Sequence, residues 1–181
     1  MSETIRRART WSEEAREAAG GPPGPCASNL YVCGRDELAG FAPRIAATVA
    51  CEPGDAGPAE PGRPRLHFPL ATGADLVRKR PEDLARLVAF VSRARETGAT
   101  VIHCAHGRGR SVAVAIVYLV ATGMEMRAAI LAVARSRPHV DITMGTVAVL
   151  SRVAASLAAA AAAPPADGEA SKQEAGQDPA S

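Results

Sequence analysis

The chain predicts an α/β fold with a central, mostly parallel sheet of four to five strands flanked by helices. Three observations carry that expectation. Short apolar or β-branched runs alternate with segments of helical periodicity, the pattern of a sheet covered by crossover helices. The stronger helical segments are punctuated, with Pro81 at one start and Gly98 and Gly123 at two ends. Hydrophobic types make up 47% of the 181 residues and aromatics only 3%, so one core built from Ala, Val, Leu and Ile is expected.

In chain order, residues 1–20 read as a short polar helix ending at Gly20-Gly21, and Gly21–Pro25 as a linker. Asn29–Cys33 (NLYVC) alternates like a strand, and Ile45–Cys51 (IAATVAC) reads as a second, more buried one. Glu52–Pro64 is rich in Pro and Gly and predicts a long surface loop, with a third strand at Leu66–Phe68. Pro81–Thr97 repeats Leu84, Leu87, Val88 and Val91 at i, i+3, i+4 and i+7, a helix with one apolar face. Thr100–His103 (TVIH) predicts a buried strand. Ser111–Thr122 (SVAVAIVYLVAT) is apolar almost all round and predicts a central, buried helix. An amphipathic helix follows over Glu125–Ser136 and is broken at Arg137-Pro138. A last helix is expected from about Thr146 into the alanine run ending at Ala163. The expected organisation is therefore an N-terminal polar helix and linker (1–25), one domain (26–163) and a disordered acidic tail (164–181).

Net charge is +2. The tail Pro164–Ser181 holds one Lys against four acids, a net of −3, which leaves +5 on the rest of the chain. That is a mild bias toward anionic ligands and no case for nucleic acid. Cys26, Cys33, Cys51 and Cys104 show neither CxxC nor zinc-type spacing. No metal or cofactor is expected, since a loop of backbone amides with Arg110 would meet a phosphate's charge. The apolar stretch around Val112–Ala121 is too short to span a bilayer, and no secretory core follows Met1. A reducing, cytoplasmic setting is expected. Arg6, Arg7 and Arg9 suggest an organelle transit peptide, while Glu3, Glu13, Glu14 and Glu17 favour an ordinary solvated helix.

The chemistry is concentrated in His103-Cys104-Ala105-His106-Gly107-Arg108-Gly109-Arg110-Ser111, between a buried strand and a buried helix. A short turn there leaves backbone N–H groups unpaired at the positive end of the helix, a ready anion site. Gly107 and Gly109 let the backbone close around a phosphate without Cβ clashes. Arg110 supplies a planar fork for two phosphate oxygens. A thiol at the same helix end, beside a guanidinium, should ionise well below the free value of about 8.5. An attacking thiolate and a bound phosphate would then share one loop. A lone Cys at a strand end is more often a buried core residue, but that reading leaves the glycines, Arg110 and Ser111 unexplained.

HCAHGRGRS resembles the HCxxGxxRS signature of the dual-specificity branch of the cysteine-based protein tyrosine phosphatases. The resemblance runs from about Asn29 to Ala155 and includes LYVCGR at Leu30 and SRPHV at Ser136–Val140. The GRGRS ending and Cys51-Glu52-Pro53 look closest to its lipid-directed, phosphatidylglycerophosphate phosphatase-like subgroup. The resemblance implies that Cys104 attacks phosphorus and forms a cysteinyl-phosphate that water hydrolyses. It implies that Ala105, His106, Gly107, Arg108, Gly109 and Arg110 bind the phosphate, that Ser111 supports the sulfur as it leaves, and that His103 braces the loop. It also implies a protective disulfide between Cys51 and Cys104, where the plainer reading of Cys51 is a small buried residue.

The chain departs from the family at the general acid. Relatives carry Pro-aliphatic-x-Asp in the preceding loop, and here Pro69-Leu70-Ala71-Thr72 puts Thr72 at the Asp position. Asp75 is the nearest carboxylate, as the acid on a re-routed loop or merely as a turn cap; Asp83 reads as a helix-dipole partner. Arg78-Lys79-Arg80 is either a solvated run or a steering patch for a polyanionic substrate. The expected partners are a phosphorylated protein or a phospholipid, with no nucleic acid, no transmembrane segment and at most peripheral contact with anionic lipid. The alternative is a pseudophosphatase that binds phosphate without turnover. Low-molecular-weight phosphatases and arsenate reductases carry their loop near the N-terminus, and rhodaneses lack the Arg-Ser ending, so both fit less well.

Overall fold

The computed structural model describes residues 25–38, 45–54, 62–137 and 139–162. The expected N-terminal helix and most of its linker, and the acidic tail, lie outside the described residues.

Four strands form one sheet in the order β1-β4-β2-β3: β1 Leu30–Gly34, β2 Ile45–Ala50, β3 Arg65–His67 and β4 Ala99–Cys104. Every pairing is parallel, which meets the lower end of the expected strand count. All six residues of β4 are buried, as expected of an inner strand covered on both faces, and this is why its sequence runs ATVIHC without polar alternation. β3 is the short edge strand and no residue in it is fully buried.

Helices α1 Pro81–Thr97, α2 Arg110–Ala121, α3 Met126–Ser136 and α4 Met144–Ala162 complete the fold. α1 has the predicted limits, with Pro81 in its first turn and Leu84, Leu87 and Val91 buried. α2 buries every residue from Ser111 to Leu119. Each large aliphatic withdrawn from water there contributes roughly 1.5–3 kcal/mol. Gly123 (φ +99°) closes α2 in a left-handed conformation open to glycine, its N–H donating to the Val120 carbonyl at 3.0 Å. Glu125 caps α3 by accepting from the Ala128 N–H at 3.0 Å. α4 begins two residues before the expected Thr146, because the Thr143 hydroxyl oxygen accepts from the Thr146 N–H at 3.1 Å and caps the helix there. No helix among the described residues is long and apolar enough to cross a membrane.

The parallel arrangement has one functional consequence. The carboxyl ends of all four strands lie along one edge, so the segments after Gly34, Ala50, His67 and Cys104 gather there, where ligands settle on open α/β sheets.

Candidate active site

Cys104 ends the central strand and Arg110 starts the most buried helix, so five residues turn the chain between them. The carbonyls of that turn are held from outside. The Arg35 N–H donates to the Ala105 carbonyl at 3.2 Å, the Arg137 guanidinium to the His106 carbonyl at 3.3 Å, and the Asp141 N–H to the Arg108 carbonyl at 3.1 Å. In a trans peptide the C=O and the following N–H point opposite ways. Three carbonyls drawn outward therefore turn the N–H groups of His106, Gly107 and Gly109 inward, into a nest for an anion.

Cys104 responds to that nest. Burial alone would hold its thiol neutral. The Ser111 hydroxyl and the backbone N–H groups of Ser111, Gly107 and His106 outweigh burial and bring the thiol below its ordinary value. The sulfur lies 3.3 Å from the Ser111 hydroxyl oxygen, and both residues are buried. Hydrogen bonds at the helix end thus act on the sulfur, one of the two influences the sequence suggested beside the guanidinium.

Gly107 has a reason to be glycine beyond the one expected. Its φ is +66°, and an added Cβ would stand 2.5 Å from the backbone of Cys33 and Gly34 and 2.7 Å from the Arg137 guanidinium. The loop is seated directly on the end of β1. At Gly109 a Cβ meets nothing within 4 Å. Arg137 is buried, and its other guanidinium nitrogen donates to both Glu37 carboxylate oxygens at 2.8 Å; Glu37 in turn accepts from the Gly34 N–H at 2.6 Å. Burial opposes the Glu37 charge, but Arg137 and the Gly34 N–H hold its carboxyl below the usual range. This clamp went unseen in the sequence, where Arg137 marked only a helix break.

His103 is buried, with no partner for its Nδ1 among the described residues. Burial depresses it to about 4, against the opposing pull of Glu52, so the ring is neutral at physiological pH. Glu52, nearly fully buried beside Cys51, is paired with Arg35. Cys51 is a free, fully buried thiol, pushed well above its ordinary value first by burial and then by the charge of Cys104.

A cleft of about 460 Å³ opens over the loop, lined by Ala71, Thr72, Gly73, Cys104, His106, Arg108, Gly109, Arg110 and Asp141. Thr72 therefore reaches the site, and Gly73 packs so closely on α2 that a Cβ there would meet Ala113 at 3.2 Å. Asp75 does not line the cleft. Its carboxylate accepts from the Thr72 N–H at 2.7 Å and the Thr72 hydroxyl at 3.2 Å, and Arg78 lies 3.6 Å away. These bonds, led by the Thr72 N–H, hold it below the usual carboxylate range, the opposite of what a proton donor needs. Asp75 is the cap of the turn Gly73–Arg78. Asp83 pairs with Arg80 at 3.0 Å at the start of α1, and Lys79 lies over the Phe68 ring. The basic run 78–80 is thus engaged locally, and the cations at the cleft are Arg108 and Arg110.

Asp141 is the acidic residue that lines the cleft, and sequence reasoning missed it. The signal available was slight, a single acid just past SRPHV, thirty-seven positions after the nucleophile candidate.

Comparison with known proteins agrees with this geometry. The family model of the dual specificity phosphatase catalytic domain matches residues 58–155. No curated protein sequence matches the chain. Among solved structures, human DUSP28 is 24% identical with a TM-score of 0.59, covering 75% of this chain and 98% of its own. A mouse dual specificity phosphatase complexed with zinc tungstate is 27% identical with a TM-score of 0.59, over 78% and 93%. PTPMT1 in complex with PI(5)P shares the fold at 17% identity and a TM-score of 0.60, over 77% and 98%. The fold, the strand–loop–helix site and the family match lead to one conclusion: this chain belongs to the dual-specificity phosphatase family and is a phosphatase of that type.

Proposed function

We propose that the protein hydrolyses phosphate monoesters through a cysteinyl-phosphate intermediate. The observation that carries this reading is the Cys104 thiol, drawn below its ordinary value by inward-facing backbone N–H groups and the Ser111 hydroxyl. The thiolate attacks phosphorus, and the P–O bond to the leaving group breaks as the S–P bond forms. The N–H groups of residues 105–110 and the Arg110 fork hold the equatorial oxygens, where charge sits in the transition state. Water then attacks phosphorus and releases inorganic phosphate, and Ser111 donates to the departing sulfur. His103, neutral and buried at the root of the loop, acts as a brace and exchanges no proton.

The substrate is a phosphorylated protein side chain or a phospholipid headgroup. Both present the same monoester dianion to an open cleft bearing His106, Arg108 and Arg110. Two relatives support a phosphate-shaped ligand here, one complexed with tungstate and the other with a phosphoinositide. Contact with anionic lipid, if lipid is the substrate, would be peripheral.

The test is hydrolysis of an activated aryl phosphate, followed by phosphopeptides and phosphoinositide or phosphatidylglycerophosphate vesicles. Wild type should turn over the aryl ester, and Cys104→Ser should be inert. Arg110→Lys should lose about 10²–10³-fold, the scale of removing an oxyanion donor. Faster turnover of vesicles than of peptides selects the lipid class, and the reverse selects phosphoprotein. Oxyanion binding without turnover by the wild type would instead support a pseudophosphatase.

A further inference from the structure

We propose that Asp141, on the segment between α3 and α4, is the carboxyl group that passes protons to and from the substrate. The inference rests on the hydrolase reading above and supplies the acid that reading lacks. It comes from where the carboxylates go. Glu37 is held by Arg137, Glu52 by Arg35, Asp75 by Thr72 and Asp83 by Arg80. Each has spent its oxygens on structure. Among the described residues Asp141 is the one acidic residue that lines the cleft containing Cys104, and its side chain makes no hydrogen bond or ion pair with another described residue.

Its backbone supplies the second observation. The Asp141 N–H donates to the carbonyl of Arg108, inside the phosphate loop itself, at 3.1 Å. That bond ties the backbone at Asp141 to the loop, so the residue keeps its place beside any anion held there. Upstream, Arg137 of the same segment holds the His106 carbonyl at 3.3 Å. Two anchors on the loop, at His106 and Arg108, fix a short chain segment far better than one. The position usual in relatives is filled by Thr72, whose hydroxyl cannot give up a proton at neutral pH.

The proton balance is simple. In the first step the Asp141 carboxyl O–H gives its proton to the leaving oxygen as the P–O bond breaks and the S–P bond forms, which leaves alcohol, cysteinyl-phosphate and Asp141 carboxylate. In the second step the carboxylate takes a proton from water as its oxygen attacks phosphorus. The S–P bond breaks, the thiolate and the protonated carboxyl return, and phosphate leaves. No oxidant, metal or second substrate is required.

The experiment compares leaving groups. A difluorinated umbelliferyl phosphate departs without help, whereas phenyl phosphate needs its oxygen protonated. Asp141→Asn should lose about 10²–10³-fold in kcat on phenyl phosphate and under about tenfold on the activated ester, within the usual range for an acid catalyst. Vanadate inhibition should persist, showing that the loop is intact. Asp75→Asn should stay within about threefold of wild type on both esters, and Asp141→Glu should recover part of the phenyl phosphate activity. Equal losses on both esters, or a leaving-group-dependent loss in Asp75→Asn, would overturn the assignment. So would a lowered KM with unchanged kcat in Asp141→Asn, since the carboxylate would then only repel substrate. A wild type inert toward the activated ester is a different result, because it overturns the hydrolase reading itself and this assignment with it.

Discussion

Cys104 and Ser111 lie on successive elements, yet their side chains meet at 3.3 Å in a buried space. A hydroxyl that donates to a thiolate there should be worth about 1.5–3 kcal/mol, which converts to about one to two pH units in the thiol's ionisation. Because the folded thiol ionises below its ordinary value, iodoacetamide should alkylate Cys104 with a midpoint lower than that of a free thiol. Reactivity should rise as pH increases through that midpoint. Ser111→Ala should move the midpoint up by about one to two units, with the backbone N–H groups still drawing it down. It should also slow breakdown of the intermediate more than its formation, giving a burst of alcohol release. An unmoved midpoint would mean that the backbone alone ionises the sulfur. That Cys104, Arg110 and Ser111 gather at one loop was legible in nine consecutive residues, because an anion nest is local. Asp141 was not, since nothing in a linear reading says which distant segment will close on that nest.

At the scale of elements, the same contrast has a packing cause. The core of α1, α2 and β4 follows from apolar periodicity and continuity, and their limits were legible to within one residue or so. Details set by a single side chain were less so. Thr143 moves the start of α4, and Arg137 does more than end α3, since its guanidinium ties the phosphate loop to Glu37 on the turn after β1. Of the two readings of Asp75, acid or turn cap, the geometry of Gly73–Arg78 favours the cap, and Thr72 lines the cleft. Gly107 tests how much the seating of the loop matters. Alanine there must adopt a left-handed φ and press a methyl group against the backbone of Cys33 and Gly34. Strain and overpacking together should cost about 2–5 kcal/mol. Gly109→Ala has open space and a negative φ, so it should lose under about 1 kcal/mol. Urea unfolding of both variants checks the difference; equal losses would show that the loop is not held by its contact with β1.

Across the whole molecule, sheet register decides which sulfur can meet Cys104. Cys33 pairs with His103 on one side of β4, and Ala50 pairs with His103 on the other. Cross-strand partners share a face and successive residues alternate, so Cys33 faces away from Cys104. One step beyond Ala50, Cys51 donates its N–H to the His103 carbonyl at 2.9 Å and falls beside Cys104, on the same face. The coupling of the two charges agrees, since Cys104 is the largest influence on the raised Cys51 thiol after burial and only the last-named one on Cys33. That coupling also gives the order of events under peroxide. Cys51 stays protonated and inert while Cys104 is a thiolate. Oxidation of Cys104 to a sulfenic acid removes the charge and one of the barriers to ionising Cys51. The Cys51 sulfur can then attack the sulfenic sulfur, forming the disulfide and releasing water. Peroxide-treated protein, mapped without reduction, should yield a Cys51–Cys104 peptide and recover activity with a dithiol. Cys51→Ser should instead accumulate irreversible sulfinic acid at Cys104 and recover little. A Cys33–Cys104 peptide in its place would mean that the register does not govern the pairing, since a bond there would have to cross the sheet.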